Sequence, residues 1–223
     1  MVQELRHWTT NELPETIPIF PLAGVLLLPG ANLPLNIFES RYIEMTEDAM
    51  STNGIIGMIQ PADPYCQDFE PLIYNTGCAG QITTFEKTED NRILITITGI
   101  CRFEVENELP HNEGSYRRVT AHYQTYKNDL NPIDIVELDR DRFIGCIKTY
   151  FSKRGIVADW SAVDELCNED LITSLTMACP FEPSEKQALL ECKNTAERIS
   201  MFHALLNMAA HDHLTPEGPI NTQ

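Results

Sequence analysis

The chain has 223 residues, 43% of them hydrophobic and 22% charged, which suits a soluble globular protein with one large core or two small ones and excludes disordered and fibrous classes. Sixteen basic against thirty-three acidic residues give a formal charge of −17, with 8 basic against 18 acidic up to position 130 and 8 against 15 beyond it, so neither half is a hidden basic module and nucleic acid is repelled at long range. No window approaches the roughly 18 to 20 uninterrupted apolar residues of a membrane span, and MVQELRHWTTNELPE has no basic start followed by an apolar stretch and a cleavage site, so no membrane partner and a cytoplasmic location are expected.

Residues 1–16 read as an amino-terminal tail. Ile17 to Phe20 and Leu33 to Phe38 are runs of strand length, separated by Pro21, Gly24, Pro29, Gly30 and Pro34, which do not belong inside a helix or a central strand. Between them Val25, Leu26, Leu27 and Leu28 are four consecutive apolar residues flanked by turn formers. Such a run is either an exposed surface for apolar peptide or a plug in the core, because an exposed apolar loop is a solubility liability. In SRYIEMTEDAM the apolar residues recur at helical spacing with acids opposite, which predicts a short amphipathic helix on the sheet. Glu39 and Arg41 at its start read as a dipole-stabilised carboxylate and an ion-pair partner, or as site residues.

Gly54 to Ile59 is a further short strand, and PADPYCQDFEP reads as a loop. Leu72 to Lys87 carries strand residues around the break Gly77-Cys78-Ala79-Gly80, where small side chains suggest close backbone approach or a bulge. Glu89-Asp90-Asn91 turns the chain into RILITITGI, and CRFEVENEL and YRRVTAHYQ supply two more strands. The pair Arg117-Arg118 reads as a solvated strand face. From Pro132 the period changes to about 3.6. Ile135, Leu138, Phe143, Ile144 and Ile147 mark a helix to about Arg154, stopped by Gly155, and Asp159 caps another that buries Trp160, Val163 and Leu166. LITSLTMACP and PSEKQALLE are two more, and the last begins at Asn194 with Glu197 as its capping partner. The expected organisation is α+β: a β-rich subdomain over 17–127, a helical subdomain over 128–213 and a tail over 214–223.

The seven cysteines contain no C-x-x-C pair, so a reduced chain without a zinc ribbon is expected. His203, His211 and His213 lack a further ligand at metal spacing, and no metal or other cofactor is predicted.

The order Pro18-Ile19-Phe20-Pro21-Leu22, Gly24-Val25, Pro29-Gly30, Pro34-Leu35, Ile37-Phe38-Glu39 and Arg41-Tyr42 resembles the amino-terminal, substrate-binding domain of Lon proteases. The likeness continues through Gly77 and Ile82, Gly99-Ile100-Cys101-Arg102-Phe103 and Tyr116-Arg117-Arg118. In the helical half it continues through Trp160, Leu175 to Met177, Pro180-Phe181, Pro183 to Gln187 and Ala196-Glu197-Arg198. Asn36 stands where many relatives have histidine and Gly80 where they usually have alanine. The resemblance spans about 17 to 210 and implies an antiparallel β pseudo-barrel of PUA-like kind followed by a helical bundle, the whole chain being this one module. It also implies unfolded or tagged proteins or peptides as partners, with a protease or chaperone system behind them.

No G-x-x-x-x-G-K-[ST] loop is present to hold nucleotide phosphates. Ser152-Lys153 and Ser184 with Lys186 lie in helical segments without a strained nucleophile turn, so a non-catalytic binding module is expected. The alternative is a small-ligand-binding protein or an enzyme with a cleft between barrel and bundle, lined by Glu39, Arg41, Tyr42, Arg102 and Trp160. The oligomeric state and the client are not written in the sequence.

Overall fold

A computed structural model describes residues 2, 4–66, 68, 70–110, 115–131 and 138–211, the side chains of the last two excepted. Six strands come first, β1 (Thr16–Pro21), β2 (Asn32–Ile37), β3 (Ile55–Ile59), β4 (Thr76–Lys87), β5 (Ile93–Glu108) and β6 (Arg117–His122), with helix α1 (Ser40–Ser51) between β2 and β3. A 3-10 segment, Gln124–Leu130, follows β6. Then come α2 (Arg140–Arg154), α3 (Trp160–Glu165), α4 (Asn168–Ala178), α5 (Pro183–Glu191) and α6 (Thr195–His211). The chain is thus α+β, a sheet followed by helices. The expected helix start at Ile135, the tail over 214–223 and His213 lie outside the described residues.

The strands run in the order β2-β5-β4-β3-β1-β6, and β5 also pairs with β6, so five of them close a circuit of pairings and β2 is appended to β5. Among the described residues only β1 and β3 pair in parallel, because β2 and α1 intervene and carry the chain back to the same end. Where the sequence suggests two strands, RILITITGI and CRFEVENEL form one strand of 16 residues. A register shift opposite Ala79 and Gly80 lets it bend without breaking. Its first part pairs with β2, Leu33 opposite Ile97, and its last part with β6, Val105 opposite Ala121.

Alternation along the strands sends side chains to two clusters. Phe20, Ile37, Met45, Ile56, Met58, Ile82 and Ile97 form one, and Ile17, Ile19, Ile55, Ala79, Phe103, Val119 and Tyr123 the other. Glycines set how tightly these layers approach. A methyl group at Gly77 would lie 2.7 Å from both the Met58 carbonyl and the Phe103 ring, and one at Gly99 would lie 2.1 Å from the Leu28 carbonyl oxygen.

Two compact units are formed, Met1–Ile133 with Thr173–Glu191, and Asp134–Ile172 with Cys192–Gln223. Helix α5 therefore belongs with the sheet, although the period of the sequence draws a single boundary near residue 127. Buried polar side chains hold it there. Gln60 donates to the Pro183 carbonyl at 3.0 Å and to the Gln187 amide oxygen at 3.1 Å, and Gln187 donates to the Thr76 carbonyl at 3.1 Å. In the second unit Phe143 packs on Phe202 at 5.3 Å, and Gly155 ends α2 in the left-handed conformation at φ 66°. The Asp159 carboxylate caps α3 by accepting from the Ser161 and Ala162 amides, as its sequence predicts. Trp160, Val163 and Leu166, expected to be buried by this helix, are only half-buried, because α3 is too short to bury any residue fully.

Replacing Gly99 by alanine is expected to cost about 2 kcal/mol or more, since backbone on the facing loop must move. Urea unfolding of Gly99→Ala against the parent checks this, and an unchanged midpoint contradicts the packing described.

Candidate functional site

The four apolar loop residues are placed first of all by burial. Leu26, Leu27 and Leu28 are at most 3% exposed and join the first core cluster, and only Val25 remains half-buried. The loop is bolted to β5 by the Gly30 amide on the Gly99 carbonyl and the Gly99 amide on the Ala31 carbonyl, both at 2.9 Å. Of the two possibilities the sequence leaves open, the structure takes the plug. Each leucine gains roughly 1.5–3 kcal/mol from leaving water, so this stretch offers no peptide surface as folded.

The cleft candidates separate. Arg102 is a packing residue: its Nε and Nη2 hold both oxygens of Asp129 at 2.8 and 2.7 Å, its Nη1 donates to the Leu190 carbonyl at 2.8 Å, and it lies 4.2 Å over the Tyr126 ring. The two side chains are 3% and 10% exposed. Trp160 belongs to the second unit, where it packs 5.8 Å from Phe151 with the Lys148 ammonium 5.0 Å over its ring. Glu39 stands at the start of α1 and pairs with Arg41 at 3.0 Å, while Arg41 stacks 4.5 Å over Tyr42. Arg41 and Tyr42 do line one small cavity, together with Tyr116 and Arg117. Arg117 is buried and bound to Glu108 through Nε and Nη2 at 2.6 and 2.7 Å, where the sequence suggests a solvated strand face.

A larger groove lies over the sheet at β2, β5 and β4. It measures about 670 Å³ and is lined by Val2, Pro34, Leu35, Phe85, Leu94 and Ile95 among others. The register explains it: Pro34 and Thr84 both stand opposite Thr96, and Asn36 and Glu86 both stand opposite Leu94. Leu94 is 41% exposed, and Phe38, just past the end of β2, is 65% exposed with the Arg92 guanidinium 6.0 Å from its ring centre. Strand β2 pairs only with β5 among the described residues, so it is an edge. The signal is present in the sequence: in RILITI the residues Ile93, Ile95 and Ile97 face the core, which leaves Leu94 apolar and out of phase.

The serine and lysine pairs do not assemble. Ser152 and Ser184 are exposed, whereas the buried Lys186 gives its ammonium to the Gly24 carbonyl at 2.9 Å and the Met177 carbonyl at 3.4 Å. Burial lowers the Lys186 pKa, and the same desolvation pushes the Cys179 thiol up to about 12.

A family model described as the ATP-dependent protease La (LON) substrate-binding domain matches residues 16–208. The Lon protease of Flavobacterium johnsoniae is 28% identical over 204 residues, covering 88% of this chain and 24% of that protein. The Lon protease of Buchnera aphidicola is 22% identical over 193 residues, covering 86% and 25%. The chain thus spans no more than about a quarter of these relatives. Among solved structures, the Lon N-terminal domain protein from Xanthomonas campestris aligns with a TM-score of 0.57 at 20% identity, covering 85% of this chain and 97% of its own. The N-terminal domain of Mycobacterium avium complex Lon protease gives 0.59 at 14%, covering 89% and 99%, and at such identities the likeness is one of fold.

Converting Asp129 to asparagine leaves the Arg102 charge buried without its counter-ion, and a loss of about 3 kcal/mol is expected. Replacing both residues by apolar ones of similar volume should recover most of it. Chemical unfolding of the single and double variants measures this, and equal losses in the two contradict the assignment.

Proposed function

Because the chain belongs to the family of the ATP-dependent protease La (LON) substrate-binding domain, we propose that it is a non-catalytic module that binds segments of unfolded protein. The observation that carries this reading is the groove over β2, β5 and β4, where Leu94, Pro34 and Val2 line a sheet face beside an unpaired edge. Exposed apolar segments distinguish damaged proteins from folded ones, and their burial is the source of affinity once ordering costs are subtracted. A groove of this volume falls in the range of ligand sites, roughly 300–1,000 Å³, and admits a few side chains at a time.

The occupant is an extended, apolar segment flanked by basic residues. Glu86 lines the groove, and a net charge of −17 disfavours acidic chains at long range. Pro34 has no amide proton to give, so side-chain contacts rather than an added β-strand supply most of the binding. We further read the closed circuit of pairings as the pseudo-barrel of a PUA-like fold, with the helical part as its companion subdomain. The seven free cysteines support a reducing, cytoplasmic setting.

Fluorescence titration against a permanently unfolded, carboxymethylated protein, with its folded counterpart as control, tests the reading. Selective binding with an intact substrate is expected, and Leu94→Glu should weaken it about tenfold while leaving the unfolding midpoint unchanged. Binding that does not distinguish unfolded from folded protein, or that ignores the substitution, overturns it.

A further inference from the structure

The groove has a wall that the six strands do not supply. Strand β3 accompanies β4 only as far as Gln81, which stands opposite Ile55, and the Ile82 amide then donates to the Gly54 carbonyl at 2.8 Å. Past that point no strand among the described residues follows β4 on its outer side. Val2 takes the place, pairing antiparallel with Thr84 and lining the groove. The floor built from β2, β5 and β4 thereby gains a fourth row from the stretch ahead of β1.

The way this row is held sets what it can do. Its root is Trp8, 8% exposed in the second core cluster, whose Nε1 donates to the Gln81 side-chain oxygen at 3.2 Å. The same oxygen accepts from the Arg6 amide at 3.1 Å, and the Gln81 Nε2 donates to the Glu4 carbonyl at 3.2 Å. One buried side chain thus tethers three positions. Outward of Trp8 the apolar side chains gain little from these contacts, since Leu5 is 52% and Val2 82% exposed. A segment with a firm root, polar tethers and exposed apolar side chains opens at little cost. An exposed valine at the rim of an apolar groove gains burial when something fills the groove.

We propose that the stretch from Val2 to Arg6 is a movable wall, rooted at Trp8, that closes on an apolar client segment lying in the groove and buries Val2 against it. The proposal rests on the reading of the groove as a site for unfolded protein. Closing adds apolar contact and costs the ordering of the stretch, so a wall fixed in place binds the client better than a free one.

Antiparallel partners stand about 4.5–5.5 Å apart at Cα, within reach of a disulfide, so Val2→Cys with Thr84→Cys ties the wall shut in the full chain. Titration against the carboxymethylated unfolded protein compares this variant oxidised and reduced, with Val2→Cys alone, treated alike, as the control for the seven native cysteines. The oxidised form is expected to bind about three- to tenfold more tightly than the reduced form. Deletion of residues 2–6, which keeps Trp8, should weaken binding several-fold against the parent. An oxidised form no tighter than the reduced one means a static wall and overturns the proposal. A deletion that leaves binding unchanged or strengthens it also overturns it, the stretch then being a bystander or a competitor. In those cases the parent still binds and still responds to Leu94→Glu, so the groove reading stands. If no form binds unfolded protein, the groove reading falls and the movable wall falls with it.

Discussion

The bidentate contact between Arg102 and Asp129 organises the sheet-bearing unit. It joins β5 to the 3-10 segment after β6, and the remaining guanidinium edge fixes the Leu190 carbonyl near the end of α5. The Arg102 backbone amide also donates to Asp129 at 3.0 Å, so the carboxylate accepts from both main chain and side chain. Taking two charges out of water is expensive, and the pair is tolerable only because its donors are satisfied. Its value lies in specificity as much as stability: a helix distant in sequence is docked in one register, with Gln60 and Gln187 fixing the same helix from its other turns.

The second constraint is close approach of backbone. Gly99 and Gly80 let the Leu26 to Leu28 loop settle onto β5 and β4, where a methyl group at Gly80 would meet Leu27 at 2.8 Å. The bend of β5 in this region lets one strand carry β2 at one end and close on β6 at the other. The groove exists because that extension projects β2 and the first half of β5 beyond the closed circuit, with one face left over for solvent.

Much of this is legible in the sequence, and the failures have physical causes. The strands at Ile17 and Leu33, the helix at Ser40 and the hairpin at Asn91 follow from local pattern, and the ordered Pro and Gly positions carry the family resemblance that the match over 16–208 establishes. The continuity of β5 is hidden in the sequence because Gly99 looks like a terminator, although its neighbours pair on through the bulge. The allotment of α5 to the sheet depends on Gln60, Gln187 and Arg102, polar residues that periodicity counts as surface. Leu26 to Leu28 could be surface or plug on hydrophobicity alone, and only the glycine-lined seat decides. Leu94, by contrast, is legible as an apolar residue at an outward position, because Ile93, Ile95 and Ile97 on either side of it take the core phase of the strand.

The two concavities differ in what lines them. The groove presents mainly aliphatic carbon with Glu86 as its one acidic lining residue, so on the reading proposed above it would discriminate by exposed apolar area, a property common to many unfolded segments. The small cavity is lined by arginines that already hold carboxylates, Arg41 on Glu39 and Arg117 on Glu108, so its charged groups are committed within the fold.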